Sequence, residues 1–355
     1  MARQGYGGAV RRGTLFAAVL ALLLVLAPPA LASGWERIAD PAPGASPSLA
    51  VLGGVPYLAT IAPDGTLTVS RGGTGWTPVG GPINHDPAQP TSQPDLFATG
   101  STLWLTWVEA GQVRVSKLVA GQWREPVGGA RPINRSGTTG FRPRILVRSG
   151  VPYVAYMTTD QRLDVVRLNG DKFQHLTTGL STAGTIHPEL ALLGNALYVG
   201  YNQGDFGRVS RFDDSALRWV TVSKTSGDYS FDDFVDGAGS LWYLDGFGVH
   251  RVSPGGSVEV LDPQPPVEGA RSFAVVGGVR YAAGIHQPFD FMTGELRLAA
   301  FRSGAWQPLP SPADAGAHTA AVQLTRAGTT LWITWVSTPG DPEGPQTVHV
   351  ARFVP

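Results

Sequence analysis

A repeat with a period of 39 to 51 residues runs through most of this chain, and it limits the possible folds more than any other feature. Each copy has an aromatic residue that opens an apolar segment, and an apolar residue lies eight positions before that aromatic residue. The seven aromatic markers are Tyr57, Trp104, Tyr153, Tyr198, Trp242, Tyr281 and Trp332. Because the eight-residue offset holds in all seven copies, the pattern predicts seven similar structural units.

Each copy is predicted to contain four short strands separated by glycine-rich turns. In the second copy these strands cover residues 95–99, 102–108, 113–118 and 123–126. Four strands in a period of about 40 to 50 residues are typical of a β-propeller blade. The nearly continuous apolar segment 103–108 fits a sheet that is buried on both faces between neighbouring blades. We therefore predict an all-β fold, a seven-bladed β-propeller with four antiparallel strands per blade.

The two ends of the repeat region are predicted to meet. The seventh copy shows three strands, the last of them at residues 348–353, and no fourth strand. Residues 34–38 (Gly-Trp-Glu-Arg-Ile) resemble residues 75–79 (Gly-Trp-Thr-Pro-Val), the predicted fourth strand of the first copy. We therefore expect the N-terminal strand to complete the last blade, because closing the ring removes two open sheet edges.

Residues 1–32 have the pattern of a secretory signal peptide. Arg3, Arg11 and Arg12 precede an apolar segment at residues 15–26, and Ala30-Leu31-Ala32 provides the small residues of a cleavage site. The alternative is a membrane anchor, but this segment is shorter than the ~20 residues that span a bilayer. We therefore predict a single propeller domain at residues 33–355, without a membrane span after cleavage. Its expected location is secreted, periplasmic or at the cell surface.

Composition excludes several classes of function. Three of the 27 basic residues belong to the predicted signal peptide, so 24 basic residues stand against 27 acidic ones in the remainder. A nucleic-acid-binding surface needs concentrated positive charge, so no nucleic-acid partner is predicted. No glycine-rich loop that could hold phosphate lies between a strand and a helix, and no cofactor is predicted. The sequence has no cysteine, so we expect packing alone, without disulfides, to stabilise the fold. We also expect the protein to be a monomer.

Two short motifs carry a resemblance to a known group of proteins. A tryptophan in a glycine-rich turn is followed by Val-Gly, first from Trp76 to Gly80 and again from Trp123 to Gly128. In this respect the chain resembles secreted bacterial seven-bladed β-propeller repeat proteins, over residues 34–355. The resemblance implies a closed seven-bladed ring, and its motifs are structural rather than catalytic.

Two sugar-related groups of propellers are also similar. Sialidase-type propellers carry Asp boxes of the pattern S-x-D-x-G-x-x-W. The nearest segment here has Asp214 five residues before Trp219, with Phe212 and Ala216 where Ser and Gly belong. Propeller lectins bind sugars in pockets between blades, using aromatic and short polar side chains. This looser resemblance implies a glycan ligand.

Polar side chains are predicted to surround the central channel. The residue directly before each conserved apolar position is polar in all seven copies: Ser48, Asp95, Arg144, Glu189, Asp233, Ser272 and Gln323. Propellers place ligands on the face where chain segments enter the inner strands, so these residues are predicted to lie at the channel mouth. The alternative is that they only hydrate the channel and satisfy one another.

A second polar set follows the second strands: Glu109, Asp160, Asn202, Asp245 and His286. From both sets we predict ligand-binding roles for Asp95, Glu109, Arg144, Glu189, Asp233, His286 and Gln323. The long loops 287–294 and 337–346 are either specificity loops or tolerated insertions. Four aromatic residues at a fixed offset are expected to pack between blades rather than stack on sugars: Trp107, Tyr156, Tyr201 and Trp335.

These patterns favour an exported binding module for an extracellular glycan or protein ligand, held at the channel mouth or in grooves between blades. The alternative is a sialidase-like glycoside hydrolase, which needs two carboxylates about 5–10 Å apart at the channel mouth. Arginines that would grip a substrate carboxylate are Arg142, Arg144 and Arg271. A metal-dependent lactonase would use Asp95, Glu189 and Asp233 as ligands. Arg144 would repel the cation there, so no metal is predicted.

Overall fold

Every regular element of the described chain is a β-strand, and the strands form seven sheets of four antiparallel strands, arranged in a ring. The computed structural model describes residues 34–41, 43–126, 131–180, 184–224, 233–245, 248–267, 272–286, 294–313, 318–338 and 344–354. The predicted signal peptide lies outside the described residues, as do Arg271, residues 287–293 and residues 339–343. Within the described ranges, no helix is long and apolar enough to cross a membrane. The predicted β-propeller fold is confirmed.

Blades one to six run outward from the central axis in chain order. The inner strands of blades one to seven are β2 (Ala45–Leu52), β6 (Thr91–Thr99), β10 (Gly140–Arg148), β14 (Thr185–Leu193), β18 (Asp233–Gly237), β22 (Ser272–Val276) and β26 (His318–Ala327). The second strands are β3 (Val55–Ile61), β7 (Thr102–Glu109), β11 (Val151–Thr158), β15 (Ala196–Gln203), β19 (Ser240–Leu244), β23 (Val279–His286) and β27 (Thr330–Thr338). The third strands are β4 (Leu67–Gly72), β8 (Gln112–Val119), β12 (Leu163–Asn169), β16 (Phe206–Asp213), β20 (Gly248–Val252), β24 (Glu295–Arg302) and β28 (Thr347–Val354). The outer strands are β5 (Trp76–Pro78), β9 (Gln122–Arg124), β13 (Lys172–His175), β17 (Arg218–Lys224), β21 (Val258–Pro263), β25 (Ala305–Leu309) and β1 (Gly34–Ile38).

Blade seven takes its outer strand from the N-terminal part of the chain. Its strand order is β26, β27, β28 and then β1, so the predicted ring closure is confirmed. Arg352 of β28 and Glu36 of β1 form an ion pair of 2.7 Å on the outer surface of this blade. Trp35 packs edge-on against Phe353, with ring centroids 5.1 Å apart.

Tryptophan side chains on the outer strands of five blades join the blade to the one before it. The indole Nε1–H of Trp123 donates to the Val79 carbonyl oxygen at 2.9 Å, and the indole of Trp35 donates to that of Pro310 at 2.8 Å. Three further indoles do the same: Trp76 to Ala39, Trp219 to Leu176 and Trp306 to Pro263. Because Trp35 makes the contact that the other four tryptophans make, β1 is equivalent to the outer strands of the other blades.

The core lies between neighbouring blades. Trp107 of blade two packs in one cluster with Leu67 and Val69 of blade one, and Trp335 of blade seven packs with Leu298 of blade six. The four aromatic residues that were predicted to pack between blades, Trp107, Tyr156, Tyr201 and Trp335, are each at most 1% exposed, so the packing prediction is confirmed.

Candidate functional site

A cavity of about 680 Å³ follows the axis of the propeller. It is lined by the inner strands of all seven blades, and each blade contributes the polar residue that precedes its conserved apolar position. These are Ser48, Asp95, Arg144, Glu189, Asp233, Ser272 and Gln323. The structure therefore brings together five of the seven predicted site residues, because equivalent positions of the repeat meet at the axis.

Four of these polar side chains bind the backbone of the next blade. Each accepts a hydrogen bond from the N–H group of the conserved apolar residue on the following inner strand. The pairs are Ser48 with Leu96 at 2.9 Å, Asp95 with Ile145 at 2.7 Å, Asp233 with Phe273 at 2.7 Å and Ser272 with Leu324 at 3.0 Å. Inner strands of different blades share no ladder, so these bonds tie neighbouring sheets together around the axis. A net contribution of about 1 kcal/mol is typical of such a bond.

Blade three breaks this pattern because an arginine cannot accept a hydrogen bond. Instead, the Arg144 Nε–H donates to Glu189 Oε1 at 2.7 Å, which joins blade three to blade four by an ion pair. The charge of Glu189 is the largest influence on the Arg144 guanidinium and raises its pKa, with a further contribution from Asp95. Arg144 therefore stays a cation in the middle of the cavity.

Two carboxyl groups of the cavity have raised pKa values. Burial is the main cause at Asp95 and raises its pKa to about 6, although Arg144 and the Ile145 N–H oppose this. Burial also dominates at Asp233, and the nearby charge of Glu189 adds to it, so the pKa of Asp233 rises to about 7. The pKa of Asp233 therefore lies near neutral pH, and a pKa near the working pH suits a general acid, which must be protonated to donate.

Gln323 differs from the other members of the ring. Within the described part of the chain, its side chain makes no hydrogen bond and no ion pair. Its amide is therefore available to a ligand in the axial cavity.

The remaining two predicted site residues lie away from the cavity. Glu109 is only 1% exposed and accepts hydrogen bonds from the backbone N–H groups of His85 and Asp86 at 2.9 and 2.6 Å, and from the Trp107 indole at 3.0 Å. Through these bonds, Glu109 holds the connection between blades one and two. His286 ends β23, is half-buried, and is not among the residues that line the axial cavity.

Four blades share a feature that our sequence analysis missed. In blades one to four, a β-bulge near the start of the inner strand contains a non-glycine residue with positive φ followed by proline. The four residues are Ser46, Gln93, Arg142 and His187, with φ between 50° and 53°. Each stands two positions before a polar ring residue, so an X-Pro pair at that offset in four consecutive copies was the available signal. Non-glycine residues with such backbone angles cost of order 1 kcal/mol and cluster at ligand sites.

These four side chains surround a second cavity of about 350 Å³, which shares six lining residues with the axial cavity, among them Arg144, Glu189 and Asp233. We call it the vestibule, with Ser46, Gln93, Arg142 and His187 at its rim and Arg144, Glu189 and Asp233 at its base. The Gln93 side chain accepts a hydrogen bond from the backbone N–H of Arg142 at 2.6 Å. Neighbouring rim residues therefore support one another, which fixes the shape of the opening.

The opposite end of the axial cavity is crossed by an ion pair. Arg326 near the end of β26 and Asp236 near the end of β18 approach to 2.7 Å. They come from blades seven and five, so the pair spans blade six, and both residues line the cavity.

A polar cluster in blade seven has the residue types of a serine hydrolase triad. Ser337 Oγ lies 2.6 Å from His349 Nε2, and His349 Nδ1 lies 2.8 Å from Asp40 Oδ1. Ser337 and His349 are each 6% exposed, which leaves little access for a substrate. Equivalent third-strand positions in blades two and three also pair with the outer strand region, as Arg114 with Glu125 and Asp164 with His175. We therefore assign this cluster to holding the outer strand of blade seven.

Among the described residues, no group of three or more acidic or histidine side chains is placed to hold a metal ion. The acidic residues of the axial ring are instead engaged with backbone N–H groups or with Arg144.

The sequence matches no protein-family model and has no significant match among curated proteins. Solved structures share its fold. Trypanosoma rangeli sialidase matches with a TM-score of 0.53 and 12% identity, over 91% of this chain and 60% of the sialidase. The polysaccharide lyase Uly1 matches with a TM-score of 0.57 and 11% identity, over 88% of this chain and 91% of the lyase. A puromycin-hydrolyzing peptidase of Mycobacterium tuberculosis matches with a TM-score of 0.58 and 18% identity, over 89% of this chain and 53% of the peptidase. The chain thus spans about 60% of the sialidase, and these identities show a shared fold alone.

Proposed function

We propose that this protein is an exported β-propeller that binds an extracellular glycan in the axial cavity, with the vestibule as its entrance. The observation that carries the proposal is the ring of seven polar side chains in a cavity of about 680 Å³, a size within the ~300–1,000 Å³ of ordinary ligand sites. Sugars need many hydrogen bonds, and this lining offers carboxylate, amide, hydroxyl and guanidinium groups. The sialidase and polysaccharide lyase that share the fold bear names of enzymes that act on glycans.

Binding is favoured over hydrolysis because the acidic groups already have structural partners. Asp95 and Asp233 each hold a backbone N–H of the next blade, and Glu189 holds Arg144. Asp95 and Asp233 make the same bond in different blades, which is what a structural role predicts.

A glycan-array screen of the purified protein tests the proposal, with Gln323→Trp as the key variant. An indole at this position fills space in the cavity without removing an internal bond, so binding should fall at least about tenfold, or 1.4 kcal/mol. Gln307→Trp, on the exposed outer strand β25, is the matched control and should bind as the wild type does. Equal binding by both variants would place the ligand outside the axial cavity, and a protein bound in place of any glycan would replace the glycan proposal.

A glycoside hydrolase is the second candidate, and the Asp233–Glu189 pair is the observation that favours it. Both residues line the same cavity, and the raised pKa of Asp233 suits a general acid beside a charged carboxylate. The test is release of reducing ends from glycans that the protein binds. Release that drops about a hundredfold or more in Asp233→Asn and Glu189→Gln would establish hydrolysis. Binding without release would leave the first proposal in place.

A further inference from the structure

The rim of the vestibule carries a positive charge that has no ion-pair partner among the described residues. Arg142 is exposed, and within the described residues its guanidinium forms no ion pair. Its backbone N–H donates a hydrogen bond to the Gln93 side chain at 2.6 Å. The side chain of Arg142 is therefore free while its backbone is fixed, which is the arrangement of a preorganised binding group.

Two guanidinium groups come close together at this point. Arg144 lies at the base of the vestibule and Arg142 at its rim, two residues earlier on the same bulged strand. Partial burial lowers the pKa of Arg142 and the neighbouring Arg144 charge lowers it further, whereas the Glu189 charge opposes both effects. Burial and the Arg144 charge disfavour the cation, and an anion placed between the two guanidinium groups would offset them.

The acidic residues of the vestibule do not cancel this positive charge. Glu189 is already bonded to Arg144 at 2.7 Å. Asp233, whose pKa rises to about 7, carries only part of a negative charge at neutral pH. Arg142 thus feels the Glu189 charge but forms no ion pair among the described residues, and His187 at the equivalent bulge of blade four lies on the same rim.

We propose that the vestibule binds the negatively charged group of an acidic glycan, a carboxylate or a sulfate, through Arg142 and His187. This inference rests on the glycan-binding function proposed above and narrows it to a class of ligand. A guanidinium presents two parallel N–H groups that match the oxygens of a carboxylate or sulfate. Ser46 and Gln93 complete the rim with a hydroxyl and an amide, which suit the neutral hydroxyl groups of the same sugar.

The experiment measures the affinity of the purified protein by calorimetry for polygalacturonate, dextran sulfate and neutral dextran, at low and at moderate salt. The wild type should bind at least one of the two acidic polymers about tenfold or more tightly than dextran. Comparison of polygalacturonate with dextran sulfate distinguishes a carboxylate from a sulfate. The preference should weaken as salt is raised, because salt screens exposed charges.

Arg142→Gln should reduce the affinity for the preferred acidic polymer about tenfold and leave the affinity for dextran unchanged. Arg124→Gln, on the exposed outer strand β9, is the control with the same change of charge and should have no effect. Arg142→Lys should keep part of the affinity, because it keeps the charge and loses the planar fork. His187→Gln provides a second test that does not alter Arg142.

Three outcomes are informative. Selective loss of acidic binding in Arg142→Gln supports the inference. Equal affinity for acidic and neutral polymers, unchanged in Arg142→Gln, overturns the inference and leaves glycan binding intact. If the protein binds neither these polymers nor any glycan of the array, the proposed function and the inference are both overturned.

Discussion

The Asp233 carboxylate shows how burial competes with hydrogen bonding at a single residue. It accepts hydrogen bonds from the N–H groups of Phe234 and Phe273 and from the Ser272 hydroxyl, all of which favour the charged form. Burial and the Glu189 charge outweigh them and raise the pKa of Asp233 to about 7. Its charged form is therefore an energetic burden on the folded ring at high pH.

Asp233→Asn should raise the melting temperature more at pH 8 than at pH 5. Between pH 4 and 7 the folded protein keeps a proton that the unfolded chain releases, so wild-type stability falls as the pH rises through this window. The asparagine carries no charge and its carbonyl can still accept the Phe273 N–H, but its NH2 group cannot accept the Phe234 N–H, which offsets part of the gain. Thermal unfolding followed across this pH range is the measurement.

Asp213→Asn is the control for that prediction. The Ser215 hydroxyl and the Ala216 N–H donate to Asp213 and lower its pKa. The charged form of Asp213 therefore stabilises the folded protein at high pH, whereas that of Asp233 destabilises it. The control should show no stabilisation at pH 8. If Asp233→Asn melts at the wild-type temperature at both pH values, burial does not control this carboxyl group.

At the scale of single elements, the outer-strand tryptophans act as links between blades. Trp123→Phe removes the indole N–H that donates to the Val79 carbonyl, while most of the ring contact is kept. The free energy of unfolding should fall by about 1 kcal/mol, the usual net value of one such bond, plus a small packing loss. Chemical denaturation measures this change, and an unchanged midpoint would show that the link contributes nothing.

The strand pattern of each blade could be predicted from the sequence, but the bulges were not. The predicted inner strand of blade two starts at Asp95, and the observed strand β6 starts at Thr91. The additional residues include Gln93 and Pro94, a pair that looks like a turn because proline cannot donate to a ladder. A bulge accommodates the proline within the strand, and for this reason the residues of the vestibule rim were not predicted from the sequence.

Side-chain partners were harder to predict than positions. The polar ring follows from the repeat because equivalent residues must meet at the axis. The bond from Ile145 to Asp95 depends on how two unpaired sheets are staggered, and no spacing within one repeat reports that. The partners of Glu109 could not be predicted for a related reason, since the backbone N–H groups of His85 and Asp86 that donate to it belong to a connection outside the repeat pattern. The ligand-binding roles of all seven predicted residues stay predictions.

At the scale of the whole molecule, the ring depends on its junction in blade seven. Deleting residues 33–42 removes β1 and with it Trp35, Glu36 and Asp40. This exposes the edge of β28 and breaks the links to Pro310, Arg352 and His349. The melting temperature should drop by many degrees and unfolding should lose cooperativity, because every blade is stabilised by two neighbours.

Deletion of residues 1–32 alone is the matched control, and it should leave the melting temperature unchanged. Calorimetry on both truncated proteins makes the comparison. A melting temperature that is equal in the two would mean that the ring holds without its N-terminal strand.

The ion pair between Arg326 and Asp236 has a consequence for the ring itself. It links blades five and seven directly and so passes over blade six. Both side chains are more than a third exposed, so the pair should contribute at most about 1 kcal/mol to folding, and less at high salt. Neighbouring blades are held by packing and buried hydrogen bonds, whereas this contact between blades that are not neighbours is one that ionic strength weakens.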